Sequence, residues 1–244
     1  MKFLAALIFF TRLPFWRIAE VPAEHYKRVV DLWSATGWLT GGITALTLFG
    51  AFHLLPPPAA VTVALTVRLL VTGALHEDGL ADFFDGMGGG TSRSRILTIM
   101  KDSHIGTYGV IALIIYFILA VTLLSSLPPE LCCLTVLAAD PWSKFCASQI
   151  INFLPYARKQ EEAKNLTVYS RMGAGAWLAS FLFGAIPLAL LPPVVIPAAM
   201  TPLLVSGALI IFMKSKLQGY TGDCCGATFL MSELSFFLVV TIIS

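Results

Sequence analysis

This sequence predicts an all-α, polytopic integral membrane protein, and three observations predict it. Of its 244 residues 57% are hydrophobic and only 12% charged. The mean hydropathy of +0.82 lies far from the soluble norm, and too little polar sequence is present to cover a soluble core of that size. Seven apolar stretches approach the roughly 20 residues that a spanning helix needs, at about 32–55, 59–75, 107–127, 131–151, 174–191, 195–213 and 226–243. The basic residues are also one-sided. The connections 56–58, 128–130 and 192–194 are proline-rich and carry one charge, Glu130. The N-terminus and the connections 76–106, 152–173 and 214–225 hold fourteen of the sixteen Lys and Arg, the other two being Arg68 and Lys144 within spans. Basic loops stay on the cytoplasmic side, so the expected orientation is N-terminus inside and C-terminus outside, in the cell inner membrane.

The elements follow in order. Lys2 and the apolar run Phe3–Phe10 resemble the start of a signal peptide, but the run is short and ends in Thr11-Arg12-Leu13-Pro14 without a small-residue cleavage site. Phe15 and Trp16 beside Arg12 and Arg17 fit a retained helix lying in the membrane interface. The seven spans come next. The second and fifth are short and are expected to lie with little tilt or to be extended by their flanks. Cys132, Cys133 and Cys146 fall in an apolar span and read as small hydrophobes. Cys224-Cys225 lie on the cytoplasmic side, where disulfides are disfavoured. No repeat or linker divides residues 1–244, so one membrane domain is expected, with a functional loop at 76–106 and a second site segment at 219–233.

The chemistry concentrates in that loop. His76-Glu77-Asp78-Gly79-Leu80-Ala81-Asp82-Phe83-Phe84-Asp85-Gly86 carries three aspartates at i, i+4 and i+7, which share one helical face. Clustered carboxylates repel unless a cation holds them, and this spacing suits Mg²⁺ on Asp78, Asp82 and Asp85; Mg²⁺ in turn suits a phosphate-bearing substrate. His76 lies about 160° around the helix from Asp78, and Glu77 is expected to be solvated. Gly88-Gly89-Gly90 reads as a non-helical, flexible stretch. Arg93, Arg95 and Lys101 follow and can bind phosphate oxygens, with Ile96–Met100 as a short apolar helical turn. Asp102 and His104 then lead into the third span. Near the chain's end, Gly219-Tyr220-Thr221-Gly222-Asp223 reads as a turn offering a carboxylate. Glu233 lies about two turns into the last span, where an ionisable group is expensive and a functional candidate by default. Arg68 could pair with Glu233 or with Asp140, which precedes the helix-breaking Pro141.

These residues resemble the cobalamin synthase family, the adenosylcobinamide-GDP ribazoletransferases. Phe10-Thr11-Arg12-Leu13-Pro14 is similar to the family's N-terminal Phe-Leu-Thr-Arg-Leu-Pro. The His76–Gly86 segment matches its His-x-Asp-Gly-Leu-Ala-Asp-x-x-Asp-Gly. The stretch from Arg93 to Gly109 follows its Ser-Arg-x-Arg…Ile-Met-Arg-Asp-Ser-x-x-Gly-Thr-x-Gly. Thr221-Gly222-Asp223, Gly226-Ala227 and Glu233 resemble its C-terminal motif. Lys101 stands where the family often has Arg, Thr98 replaces a common Glu, and Leu230 stands where a first glutamate is expected.

The resemblance implies a reaction. A ribose hydroxyl of α-ribazole, or of its 5′-phosphate, displaces GMP from adenosylcobinamide-GDP, giving adenosylcobalamin or its phosphate. It implies His76, Asp82, Asp102 and Asp223 as catalytic residues, with the general base left open among the Asp and His groups. It implies Arg93, Arg95, Lys101, Thr221 and Glu233 as substrate contacts, and Mg²⁺ as cofactor on Asp78, Asp82 and Asp85. The partners expected are the corrinoid nucleotide, α-ribazole and membrane lipids; no nucleic acid is expected, and a homo-oligomer is compatible with the sequence. Two other readings compete. A CDP-alcohol phosphatidyltransferase also uses membrane aspartates, but Asp82 stands where its motif has Arg and the later spacing fails. A cation transporter would place acids near midplane in two repeats, whereas here they gather in one loop.

Overall fold

The computed structural model describes residues 1–158 and 169–244. Among them the chain is helical between its connections, with one isolated parallel bridge joining Tyr156 and Tyr220. The helices are α1 (Lys2–Phe10), the short α2 (Ala23–Tyr26), α3 (Trp33–Phe52), α4 (Pro57–Thr72), α5 (Leu75–Gly89), α6 (Arg93–Ile99), α7 (Thr107–Ser125), α8 (Pro129–Ser148), α9 (Ile150–Phe153), α10 (Ala174–Ala185), α11 (Met200–Lys216) and α12 (Gly222–Ile243). Tight 3₁₀ turns precede α3 at Val29–Leu32, extend α10 through Ile186–Leu190 and lead into α11 at Pro193–Ala199. The prolines of the short connections do more than break helices. Pro57 and Pro129 each stand in the first turn of the helix that follows, where a missing N–H costs nothing.

Among the described residues four helical stretches are long and apolar enough to cross a membrane: Val29–Phe52, Thr107–Ser125, Pro193–Lys216 and Gly222–Ile243. The pair α4–α5 makes a fifth if it is counted as one broken span. The expected seven is not reached on length and apolarity. Helix α8 has its apolar run interrupted by Asp140 and Lys144, and Ala174–Leu190 is a shorter apolar helix. Helix α8 instead lies inside the bundle, with all residues from Ala138 to Ser148 buried. It packs most extensively on α3. Gly37 and Gly41, one turn apart on α3, permit this: a Cβ on Gly37 would stand 2.6 Å from the Cα of Pro141, and one on Gly41 3.0 Å from the Cβ of Asp140. Small residues at such spacing let two backbones approach where lipid offers no hydrophobic drive to pair helices.

Helix α1 is amphipathic. Ala5, Ala6 and Phe10 are buried against the bundle, while Met1 and Phe3 stay exposed. Phe10 stacks on Trp33, with ring centroids 5.3 Å apart and planes within 13°. The expected interfacial helix is therefore also a wall of the protein, docked through one face.

The chain turns by 91° between α4 and α5. Two consecutive left-handed residues make the turn, Gly73 (φ 67°) and Ala74 (φ 55°). Gly73 adopts that conformation at little cost, whereas Ala74 carries roughly 1–2 kcal/mol of strain. Any Cβ at Gly73 would collide with the Arg12 side chain, and the Arg12 amide donates to the Val71 carbonyl at 2.7 Å. The Thr-Arg-Leu-Pro segment thus clamps the corner from outside, and α5 runs across the direction of α4. Helix α5 does not stop before the glycines: it continues through Gly89 and ends at Gly90. At Gly88 a Cβ would stand 2.5 Å from the Tyr108 ring, so the absence of a side chain there lets the start of α7 pack on α5.

The bundle's centre is ionic. Arg68 Nη1 donates to both carboxylate oxygens of Glu233 at 2.8 Å. Its Nη2 meets the Tyr116 hydroxyl at 2.5 Å, and that hydroxyl donates to Glu233 Oε2 at 3.1 Å. Glu77, expected in solvent, is 4% exposed and lies 3.8 Å from Arg68, because the corner turns its face of α5 inward. Beside this knot Lys144 pairs with Asp140 at 2.5 Å, Thr40 donates to Asp140 at 2.8 Å, and the ammonium lies 5.0 Å from the centre of the Phe229 ring. Buried charges persist only when paired and hydrogen-bonded in this way.

Candidate active site

The first turns of α5 and α12 meet at close range. A Cβ on Gly79 would stand 3.0 Å from the Asp223 carbonyl oxygen, and one on Gly226 3.1 Å from that of His76. The two acidic segments, far apart in sequence, are thereby pressed side by side. Between them, α1 and the start of α3 lies a cavity of about 160 Å³, with Asp78, Asp223, His76 and Arg158 in its lining and aromatic rings around them. Asp223 is 9% exposed; its Oδ2 accepts from the Thr221 hydroxyl at 3.2 Å. Asp78 is exposed and Asp82, one turn further along α5, is half-buried.

Arg158 reaches this pocket from the segment after α9. That segment is fastened to the α11–α12 connection: Tyr220 N–H donates to the Pro155 carbonyl at 3.0 Å and Ala157 N–H to the Tyr220 carbonyl at 2.8 Å. Arg158 Nη2 donates to the Leu97 carbonyl at 3.2 Å, while its buried Nε has no partner among the described residues. Arg158 also lines an open cleft with Arg93, Lys101 and Asp102, so one guanidinium borders both the acidic pocket and the basic cleft. Nothing in its sequence context separates Arg158 from residues that only set topology; its role comes from the bridge at Tyr220. A further cleft between α6 and the start of α7 takes in Arg95, Asp102, His104 and Asp85. Asp102 accepts from the His104 amide at 3.0 Å and from its Nδ1 at 2.7 Å. The backbone bond first and the side-chain bond second hold the Asp102 carboxyl below its ordinary range.

Several expected site residues stand elsewhere. Asp85 does not join Asp78 and Asp82: its two oxygens accept from the amides of Gly106 at 2.7 Å and Gly109 at 2.8 Å, capping α7. The glycines are required because a Cβ on either would strike the carboxylate, and the helix N-terminus supplies the positive end of the dipole. Thr221 is fully buried and is the N-cap of α12, accepting from the Cys224 amide at 3.5 Å; it holds Asp223 and does not reach the pocket wall. Arg93 is a staple, donating to the carbonyls of Leu217 at 2.7 Å and Ala157 at 2.6 Å. Glu233 lies in the ionic centre with Arg68, inside the bundle and not among the pocket's lining. The contribution of Phe9, Trp33, Tyr156 and Tyr169 to the pocket is invisible in sequence, where such rings read as core.

The cap makes one expectation concrete. Asp85→Asn should destabilise the fold by about 1–3 kcal/mol, since the amide nitrogen cannot accept from an N–H and one buried donor is orphaned. The thermal midpoint in detergent should fall while the rate per folded molecule holds. A normal midpoint with a lost rate would return Asp85 to the reacting centre.

Among the described residues no three His, Cys, Asp or Glu side chains are gathered as a metal-ligand set. The donors present still suit Mg²⁺ in the mode where one or two carboxylates suffice and substrate phosphates and water complete the shell. Asp78 and Asp82, neighbouring carboxylates one helical turn apart beside the pocket, fit that mode; the triad with Asp85 does not.

The cobalamin-5-phosphate synthase family model matches residues 2–241. Similar curated proteins include two named adenosylcobinamide-GDP ribazoletransferase, from Shewanella sp. (strain W3-18-1) and Shewanella halifaxensis (strain HAW-EB4). Each is 33% identical, over 99% of this chain and 94% and 95% of the relatives' lengths respectively. A relative of the same name from Shewanella oneidensis is 31% identical over 99% of this chain and 94% of its own length. No solved structure matches.

Proposed function

The chain belongs to the cobalamin-5-phosphate synthase family, and from that membership we propose that it is an adenosylcobinamide-GDP ribazoletransferase working at a membrane. It joins the cobinamide phosphate to a ribose hydroxyl of α-ribazole, or of its 5′-phosphate, and releases GMP. The observation that carries the reading is the meeting of Asp78 and Asp223 in one pocket bordered by Arg158, because in-line displacement at a diphosphate needs a hydroxyl-orienting acid and cations on the phosphates together. The positive-inside rule puts this face in the cytoplasm, with the N-terminus inside and the C-terminus outside.

The chain's own residues divide the work. Asp223, steadied by Thr221, orients the ribose hydroxyl and takes its proton as the oxygen bonds to phosphorus. The bond from that phosphorus to the bridging oxygen breaks, and the electron pair leaves with GMP. Arg158, Lys101 and Arg95, from the pocket's edge outward, hold phosphate oxygens. Asp78 and Asp82 would hold Mg²⁺, which when bound neutralises charge on the diphosphate and the departing phosphate. His76, buried against Trp33 with ring centroids 5.7 Å apart, shapes the pocket behind these groups.

The decisive experiment uses purified protein in detergent with Mg²⁺, adenosylcobinamide-GDP and α-ribazole. Adenosylcobalamin and GMP should appear one for one. CMP release from a CDP-alcohol, or no nucleotide from either substrate, would remove the proposal.

A further inference from the structure

Outside the reacting pocket, we propose that the groove between α1, α2 and the α4–α5 corner holds the phosphodiester of an anionic phospholipid, drawn from the leaflet that borders the active face, on the Arg12 guanidinium and the Tyr26 hydroxyl. The groove measures about 470 Å³ and has two characters. Ile8, Phe9, Ala23 and Leu75 make an apolar wall, and Arg12 and Tyr26 border it as polar groups. Neither the guanidinium nor the hydroxyl has a protein partner among the described residues. Arg12 is exposed, yet its side chain is held in place. It lies across Gly73 at the C-terminal end of α4, and its amide is tied to the Val71 carbonyl at 2.7 Å. A positioned guanidinium with its donors turned to no protein acceptor suits a phosphate oxyanion.

The groove's place in the fold identifies what carries that phosphate. Helix α4 turns an apolar side outward. Val63 and Leu70 are exposed on it, and the exposed Thr62 and Thr66 spend their hydroxyls on the carbonyls of Pro58 and Thr62 in their own helix. This lipid-facing side ends at Leu70, two residues before Thr72 of the groove lining. On the other flank Phe3, Trp16 and Ile18 are exposed, and aromatic side chains of this kind mark the headgroup level. The groove therefore opens at the height of the lipid phosphates. The same N-terminal segment exposes Lys2, Arg17 and Lys27 against Glu20 and Glu24. With Arg12 this is a basic excess, which favours an anionic headgroup over a zwitterionic one. Free phosphate would satisfy Arg12 and Tyr26 but leave the apolar wall facing water, whereas a phosphodiester bearing acyl chains covers both. Phe9 and Leu75 line this groove and the reacting pocket alike, so a lipid seated here rests against the back of that pocket's wall.

The test reads binding and not turnover, so it holds whatever reaction the protein performs. The whole protein, stripped of lipid in detergent, is titrated with phosphatidylglycerol or with phosphatidylcholine of identical acyl chains, and the bound lipid is counted by native mass spectrometry. One phosphatidylglycerol should be held at least tenfold more tightly than phosphatidylcholine, and millimolar inorganic phosphate should not displace it. Arg12→Gln should cut the preference to twofold or less, with a thermal midpoint showing that it is folded. Arg17→Gln, at a neighbouring exposed arginine, should leave the preference intact. Ala23→Trp fills the groove from an exposed position without changing charge, and should weaken phosphatidylglycerol binding at least fivefold. It leaves the corner untouched, so it decides the matter if Arg12→Gln does not fold. Equal binding of the two lipids by the wild type, a folded Arg12 variant that keeps the preference, an equal loss from Arg17→Gln, displacement by phosphate, or undiminished binding in the Ala23 variant would overturn the assignment.

Discussion

Asp78→Asn should lower turnover by about a hundredfold or more, the scale on which a positioned charged group acts on a transition state, with little change in thermal stability. Asp78 is exposed on α5 and caps nothing, so the amide fits without disturbing the fold, yet it cannot supply the negative charge. Asp223→Asn should cost a similar factor at saturating substrate, because the hydroxyl loses its proton acceptor. Raising Mg²⁺ should partly restore the Asp78 variant and leave the Asp223 variant unmoved, if one carboxylate holds the ion and the other takes the proton. Steady-state rates across a Mg²⁺ series read both effects. Near-normal turnover of the Asp78 variant at limiting Mg²⁺ would remove the carboxylate from the site.

Glu233→Gln should destabilise the protein by roughly 3–5 kcal/mol, the cost of breaking a buried ion pair from one side. The reason is geometric. Arg68 is 3% exposed and Glu233 wholly buried, and the guanidinium spends two bonds on that carboxylate and one on Tyr116. The triple change Arg68→Met, Glu77→Gln and Glu233→Gln should recover much of the loss, because Glu77 also faces Arg68 at 3.8 Å and no charge of the cluster is then left alone in the bundle. The rate per folded molecule should change little in either variant. A stable Glu233→Gln protein with a collapsed rate would move Glu233 from the frame to the chemistry.

The sequence and the structure agree where one local period or one motif decides. Helical membrane architecture follows from apolar runs, and the i, i+4 relation of Asp78 and Asp82 follows from helix geometry. The disagreements have physical causes. Asp85 has the right spacing to join a metal triad, but the start of α7 at Gly106–Gly109 claims both oxygens. Glu77 is one residue from a catalytic candidate, yet the corner at Gly73 and Ala74 turns it toward Arg68. Seven spans are not confirmed by length and apolarity, because Asp140 and Lys144 interrupt the apolar run of α8 and Ala174–Leu190 is short.

The Arg68–Glu233 pair also has a schedule. Its members are separated by 165 residues, and at about 5–20 residues per second of synthesis the arginine precedes its partner by about 8–33 s. During that interval the helix bearing Arg68 must settle with a guanidinium whose main counter-ion does not yet exist. Glu77, nine positions on and 3.8 Å away in the finished protein, is made within about two seconds at the slower rate. The early acid gives the nascent chain a nearby neutralising group, and the late one completes the lock only when α12 has been delivered. Assembly of the face that carries Asp223 is thereby tied to the delivery of α12, which bears Asp223 in its first turn.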